Sequence, residues 1–225
     1  MADEEKYIKG LENVIRQMLT PIRNIPFDIV IRAMTGFKVI VFDKNKKEDK
    51  KLLQNLSKAA KIAAQKVAKT GGIKRPRPNE VGNDLEPFIE IALKEVGYAD
   101  AGKPRGKSGK GKSAGYPDRE FTDNGRTVYL EVKSYASETN SKSTLRSFYL
   151  SPSDDFKVNK DALHLLIAFE AVKDNDFYFV SGWKIVTVDK LLVDVKYEFN
   201  SDNKRLYKEN AVLTEGKFDY NKHIL

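Results

Sequence analysis

The sequence contains no cysteine, only two histidines, one tryptophan and three methionines among its 225 residues. Without cysteine there is no disulfide framework, no thiolate nucleophile and no cysteine zinc site. His164 and His223 are too few for a multi-histidine metal centre. Also missing is any apolar run near the ~18–20 residues that cross a bilayer, and the opening MADEEKYIKG is too polar for a secretory signal. These absences predict an intracellular setting. What the chain has instead is charge: 40 Lys and Arg against 32 Asp and Glu, a net of +8. That balance points to a polyanionic partner, nucleic acid ahead of a membrane surface. At 40% hydrophobic and 10% aromatic residues the chain can build a core, and its length suits one domain, with or without an arm.

Along the chain, Ile8, Leu11, Val14, Ile15, Met18 and Leu19 recur three and four apart and predict a helix over 4–19. A short apolar stretch follows Pro26, and Phe37 to Asp43 reads as a strand. A second helix carries Leu52, Leu53, Leu56, Ala60, Ala63 and Val67 on one face and stops at Gly71-Gly72. The most regular helix spans roughly 80–96, with Leu85, Phe88, Ile89, Ala92, Leu93 and Val96 in period. Residues 99–117, with five glycines and two prolines, predict a loop. Strands are expected at Thr127–Lys133, Ala162–Ala171 and Phe177–Val188, and a helix or strand at 189–199. Helices come first, then one helix feeding a run of strands, which predicts an α/β fold with a helical N-terminal arm.

The strand TVYLEVK carries the chemistry. Alternation sends Val128, Leu130 and Val132 one way and Tyr129, Glu131 and Lys133 the other. A carboxylate and an ammonium on one face of a core strand are costly unless something uses them. Upstream, twelve residues lie between Asp118 and Glu131, a gap that suits a hairpin turning at Asp123-Asn124-Gly125. Such a turn brings the two carboxylates side by side, where both ionise readily only with a cation between them. Oxygen ligands in an incomplete shell, with the Val132 carbonyl in reach, suit Mg²⁺, which completes its shell with water and phosphate oxygens. Lys133 is then placed to hold an attacking water and to neutralise charge on a phosphate. The bland alternatives are a turn role for Asp118, a solvent-facing Glu131–Lys133 pair on an edge strand, and a merely solvated Glu86 on the preceding helix.

Pro117-Asp118, the gap, and Glu131-Val132-Lys133 together resemble the PD-(D/E)XK nuclease signature in its ExK form. Gly82-Asn83-Asp84-Leu85-Glu86 is similar to the G-x-x-x-E helix opening of several restriction enzymes. The resemblance implies a restriction-endonuclease-like core, a mixed central sheet flanked by helices, in a single nuclease domain: residues 1–72 form a mainly helical N-terminal arm and 73–225 the catalytic core. It also implies a Mg²⁺-dependent type II restriction endonuclease that cuts double-stranded DNA to leave 5′-phosphates. Asp118, Glu131, Lys133 and Glu86 would be catalytic, with Asp118, Glu131 and the Val132 carbonyl on the metal and Glu80 competing with Glu86 as the helical acid. A homodimer reading a palindrome, and a cytoplasmic location, follow from the same resemblance. A repair or junction-resolving nuclease and a non-catalytic DNA-binding module on the same core are the alternatives.

Gly106 to Ser113 fits the pattern G-x-x-x-x-G-K-[ST], but polar sequence precedes it and Pro117 follows too soon for the helix that a nucleotide-binding loop needs. No nucleotide cofactor is expected. A basic loop is the better account, with Lys107, Lys110 and Lys112 on DNA phosphates. Arg75 and Arg77 are further candidates for DNA contact, as are Asn140, Lys142 and Arg146, whose Asn and Arg can read base edges.

Overall fold

The computed structural model describes residues 2–20, 22–112, 115–136, 148–197 and 201. Two compact units emerge, one formed by residues 1–23 with 194–225 and one by residues 24–193. In the first, α1 (Ala2–Leu19) is an amphipathic helix with acids in its first turn. β1 (Ile22–Pro26) and β8 (Leu192–Val195) pair as a two-stranded sheet, and the unit boundary runs through both strands.

The larger unit is a six-stranded mixed sheet with helices. In chain order it holds α2 (Phe27–Thr35), β2 (Val39–Ile40), α3 (Lys47–Lys69), β3 (Ile73–Lys74), a 3-10 turn (Pro78–Glu80), α4 (Val81–Glu95), β4 (Arg119–Asp123), β5 (Arg126–Tyr135), β6 (Ala162–Asp174) and β7 (Phe177–Thr187). The strand order is β3-β7-β6-β5-β4, with β2 added in parallel at the start of β6. β5 and β6 run parallel, while β4–β5, β6–β7 and β3–β7 are antiparallel.

One face of this sheet packs on α3 and α4. Leu52, Leu56, Ala63 and Val67 of α3 and Leu85, Ile89 and Leu93 of α4 share a core with Val128, Leu130, Val132, Ile167 and Phe169. The helices form because these apolar positions repeat at helical spacing and bury on one side. On the opposite face Tyr129 meets Phe27, Ile31, Tyr116 and Val158. β5 is therefore covered on both faces at its start, and its alternation is the one the sequence predicts.

One stretch that the sequence leaves unassigned becomes a helix, and one element differs from expectation. FDIVIRAMT forms the helix α2, closed by Gly36 in the left-handed region at φ 81°, because Phe27 and Ile31, one turn apart, both bury completely. The strand expected over Phe37–Asp43 shrinks to Val39–Ile40, because only the first two residues of β6 are available to pair with it. Within the 189–199 segment, Leu192–Val195 forms the strand β8. No helix among the described residues is long and apolar enough to cross a membrane.

Candidate active site

The hairpin β4–β5 turns at Asn124 and Gly125, both with positive φ (48° and 76°), the conformation of a type I′ turn whose twist matches its strands. Its register sets Arg119 opposite Leu130, so Asp118, one residue before β4, falls beside the Glu131 end of β5. The Asp118 Oδ2 accepts a hydrogen bond of 2.8 Å from the Val132 backbone N–H. Glu131 is only 4% exposed. Burial first, and then the neighbouring charge of Asp118, push its pKa up to about 7, against the opposing pull of Lys133. One Glu131 oxygen accepts from the Lys133 ammonium. The other, Oε2, is buried with no N–H or O–H donor to accept from, and the Glu131 and Asp118 carboxyls lie within hydrogen-bond reach of each other, so a shared proton or a cation is what relieves them.

An orphaned carboxylate oxygen beside a second carboxylate fits a divalent cation. Asp118, Glu131 and the Val132 carbonyl are the groups that could hold it. No cluster of three or more His, Cys, Asp or Glu side chains with metal-site geometry occurs among the described residues, so the carboxylates offered are two, and the shell is open.

Glu86 lies on α4, turned to the hairpin, and accepts from Arg119 Nη1 at 2.8 Å. Arg119 is 1% exposed, forms a second ion pair with Glu90 at 3.0 Å and donates to its neighbour's carbonyl, that of Asp118, at 2.7 Å. A buried guanidinium thus joins α4 to the residue before β4. The helix lies close to β5 at Gly82, where a Cβ would stand in ordinary contact, 3.4 Å from the Ser134 backbone nitrogen. Ser134 Oγ in turn donates to the Pro78 carbonyl at 2.6 Å. Glu80, the alternative helical acid, lies in the 3-10 turn and pairs with Arg77.

Sequence reading missed two groups near the carboxylates. Lys157, 3% exposed, donates to the carbonyls of Gly115 (2.6 Å) and Pro117 (3.0 Å). Burial lowers its pKa, while the charges of Asp118, Glu131 and Glu86 oppose that shift. Nothing in the run DDFKVNK marks this lysine; only the fold buries it. Tyr116 is the second: its hydroxyl meets Nδ1 of buried His164 at 2.8 Å. Burial holds the His164 pKa down near 4, so the ring is neutral, the core residue that its place in an apolar strand suggests.

The basic candidates fall in different places. Arg75 pairs bidentately with Asp84 (2.6 and 2.8 Å), and Arg77 pairs with Glu80. Lys107 lies over the Phe156 ring at 5.5 Å, and Lys110 is exposed. Lys112 is tied to Ser153 Oγ (2.7 Å) and the Asp155 carbonyl (2.8 Å). Asn140, Lys142 and Arg146 lie outside the described residues. The nucleotide-loop lookalike is a tight turn closed by an Arg105–Gly111 bridge. Its Ser108 amide holds the Asp155 carboxylate at 2.8 Å, and the segment that follows leads into β4 instead of a helix.

Residues 21–210 match the family described as the type II restriction enzyme MjaV family. The chain is also 40% identical over 228 residues to the type II restriction enzyme MjaV of Methanocaldococcus jannaschii, a match covering 95% of this chain and 98% of that protein. No solved structure matches significantly.

Proposed function

The chain belongs to the type II restriction enzyme MjaV family and is a site-specific endonuclease of double-stranded DNA; from that premise we propose that it cuts at Asp118, Glu131 and Lys133, in a PD-(D/E)XK arrangement served by Mg²⁺. The observation that carries this reading is the buried, donorless oxygen of Glu131 beside Asp118, with the Lys133 ammonium on the other oxygen. Family membership removes the repair-nuclease and non-catalytic alternatives.

Asp118, Glu131 and the Val132 carbonyl would hold a divalent ion, which when bound would supply positive charge at the scissile phosphate and acidify water. The protein's own part is positional. Asp118 is held by the Val132 N–H, and Glu131 is held by a central strand paired on both sides. Lys133, 29% exposed at its side chain, can leave Glu131 to orient the attacking water and stabilise charge on the phosphate in flight. Attack in line on phosphorus breaks the bond to the 3′ oxygen and leaves a 5′-phosphate. Glu86 stands behind the hairpin, where it fixes Arg119 and adds negative charge near the site.

The surrounding fold supports a restriction-endonuclease-like core within one nuclease domain spanning 1–225, with 1–72 as its mainly helical arm, although α3 of that arm packs on the catalytic sheet. Lys107 and Lys110, with Arg75, Arg77, Asn140, Lys142 and Arg146, are assigned to DNA, Lys112 to holding their loop through Ser153 and Asp155, and a homodimer to a palindromic target.

Sequenced duplex DNA incubated with the enzyme and Mg²⁺, beside EDTA, Asp118→Ala and Lys133→Met reactions, tests this. Discrete fragments with 5′-phosphate ends are expected only with the wild type and metal. Cutting by Asp118→Ala at the wild-type rate would place the active site elsewhere.

A further inference from the structure

We propose that Lys157 is a positioning residue of the cleavage site: its ammonium clamps the main chain that delivers Asp118 to the Val132 N–H. This rests on the reading of Asp118 as a catalytic carboxylate.

A lysine at 3% exposure is rare, because burying an ammonium is costly unless its donors are used. Here two donors are used, both on backbone carbonyls, and the carbonyls are those of Gly115 and Pro117. They bracket Tyr116 and end immediately before Asp118. The segment 115–117 otherwise has no strand partner: β4 begins only at Arg119. Arg119 holds the carbonyl on the other side, that of Asp118 itself. Asp118 is thus suspended between two buried cations, Lys157 before it and Arg119 after it, and its side chain accepts from the Val132 amide of β5, two residues beyond the hairpin's last register pair, Arg119 with Leu130.

Lys157 is itself anchored. Phe156, the preceding residue, accepts from the Lys107 amide at 2.9 Å, and the Asp155 carboxylate accepts from the Ser108 amide. The clamp therefore also ties the catalytic aspartate to the basic loop. A lysine with only a packing role would sit on apolar partners or on one carboxylate; this one satisfies two carbonyls in the approach to the reacting group, and although burial lowers its pKa, the charges of Asp118, Glu131 and Glu86 oppose that shift.

The Val132 amide reports the effect directly, without metal and without cleavage. Its ¹H–¹⁵N resonance is recorded in EDTA for the wild type, Asp118→Ala, Lys157→Met and Lys157→Gln, with folding checked by the remaining amide spectrum. Asp118→Ala removes the acceptor and defines the unbonded position. Lys157→Met should move the Val132 resonance more than halfway to that position, and Lys157→Gln, which keeps one donor, should move it less. Single-turnover cleavage at saturating DNA should fall at least tenfold in Lys157→Met, while DNA affinity in EDTA stays within twofold. A Val132 resonance unmoved in Lys157→Met, or in Lys157→Gln should the Met variant not fold, overturns the proposal. If Asp118→Ala cleaves normally, the assignment of Asp118 to catalysis fails instead, whatever the amide shows.

Discussion

Glu131 is the residue at which the site's chemistry and its stability conflict. Its pKa of about 7 comes from burial and then from Asp118, against an ordinary glutamate near 4.3. Between those values the folded protein holds a proton that the unfolded chain has released, so stability falls as pH rises through that window. The loss is complete above about pH 7 and on the order of 3 kcal/mol. Urea unfolding in EDTA at pH 5 and pH 8 should show it, and Glu131→Gln, which has no proton to lose, should lack this slope. Parallel curves for the two proteins would rule the effect out. The same proton competes with a divalent ion. Calcium binding measured by calorimetry should therefore tighten as pH rises from 6 to 8 in the wild type and stay weak throughout in Glu131→Gln.

At the scale of elements, α4 and the hairpin are joined through Arg119, whose partners Glu86 and Glu90 sit one turn apart on the helix. Arg119→Met should destabilise by about 3–5 kcal/mol, since it strands a paired set of charges in a mostly buried place; a thermal melt measures this. Glu90 then serves as a control for Glu86. If Glu86 also contributes its charge to cleavage, Glu86→Gln should slow single-turnover cutting at least fivefold more than Glu90→Gln at equal loss of stability. Equal effects would reduce Glu86 to its bond with Arg119.

These elements also show what a sequence can disclose. The hairpin was legible because its signals are local: a two-residue Asn-Gly turn, period-two alternation, and spacing that fixes the register of Asp118 against Glu131. α4 was legible from its unbroken apolar period. Arg119 and Lys157 were not, because nothing near either residue separates a buried cation from a solvated one; their partners arrive from α4 and from the 115–117 segment. β2 was overestimated because β-branched residues state a preference, while strand length depends on the partner. The Gly106–Ser113 pattern is a nucleotide loop only as a string, as its polar flank and Pro117 already indicate, and in the fold its Ser108 amide holds a carboxylate, that of Asp155.

For the whole molecule, the net charge of +8 implies DNA binding driven largely by counterion release, with affinity falling steeply as salt rises. Lys110 and Lys107 are both exposed, the Lys107 ammonium lying 5.5 Å over the Phe156 ring, and both can meet phosphates. Each replacement by Ala should lower the slope of log affinity against log salt by about one. Lys112→Ala should instead loosen the loop, because that ammonium already serves Ser153 and the Asp155 carbonyl.

If the proposed Asp118–Glu131–Lys133 site attacks one strand per chain, both strands of a palindromic target are most simply cut by two copies related by a twofold axis. Mixing settles whether those copies act as one assembly. Wild-type enzyme combined with a tenfold excess of Asp118→Ala, then given supercoiled plasmid carrying one target, places most active chains beside an inactive partner. Each such pair can cut only one strand, so nicked circles should accumulate where the wild type alone gives linear DNA. If the mixture yields linear DNA at a reduced rate with no nicked product, each active chain cuts both strands by itself, and the dimer has no part in catalysis.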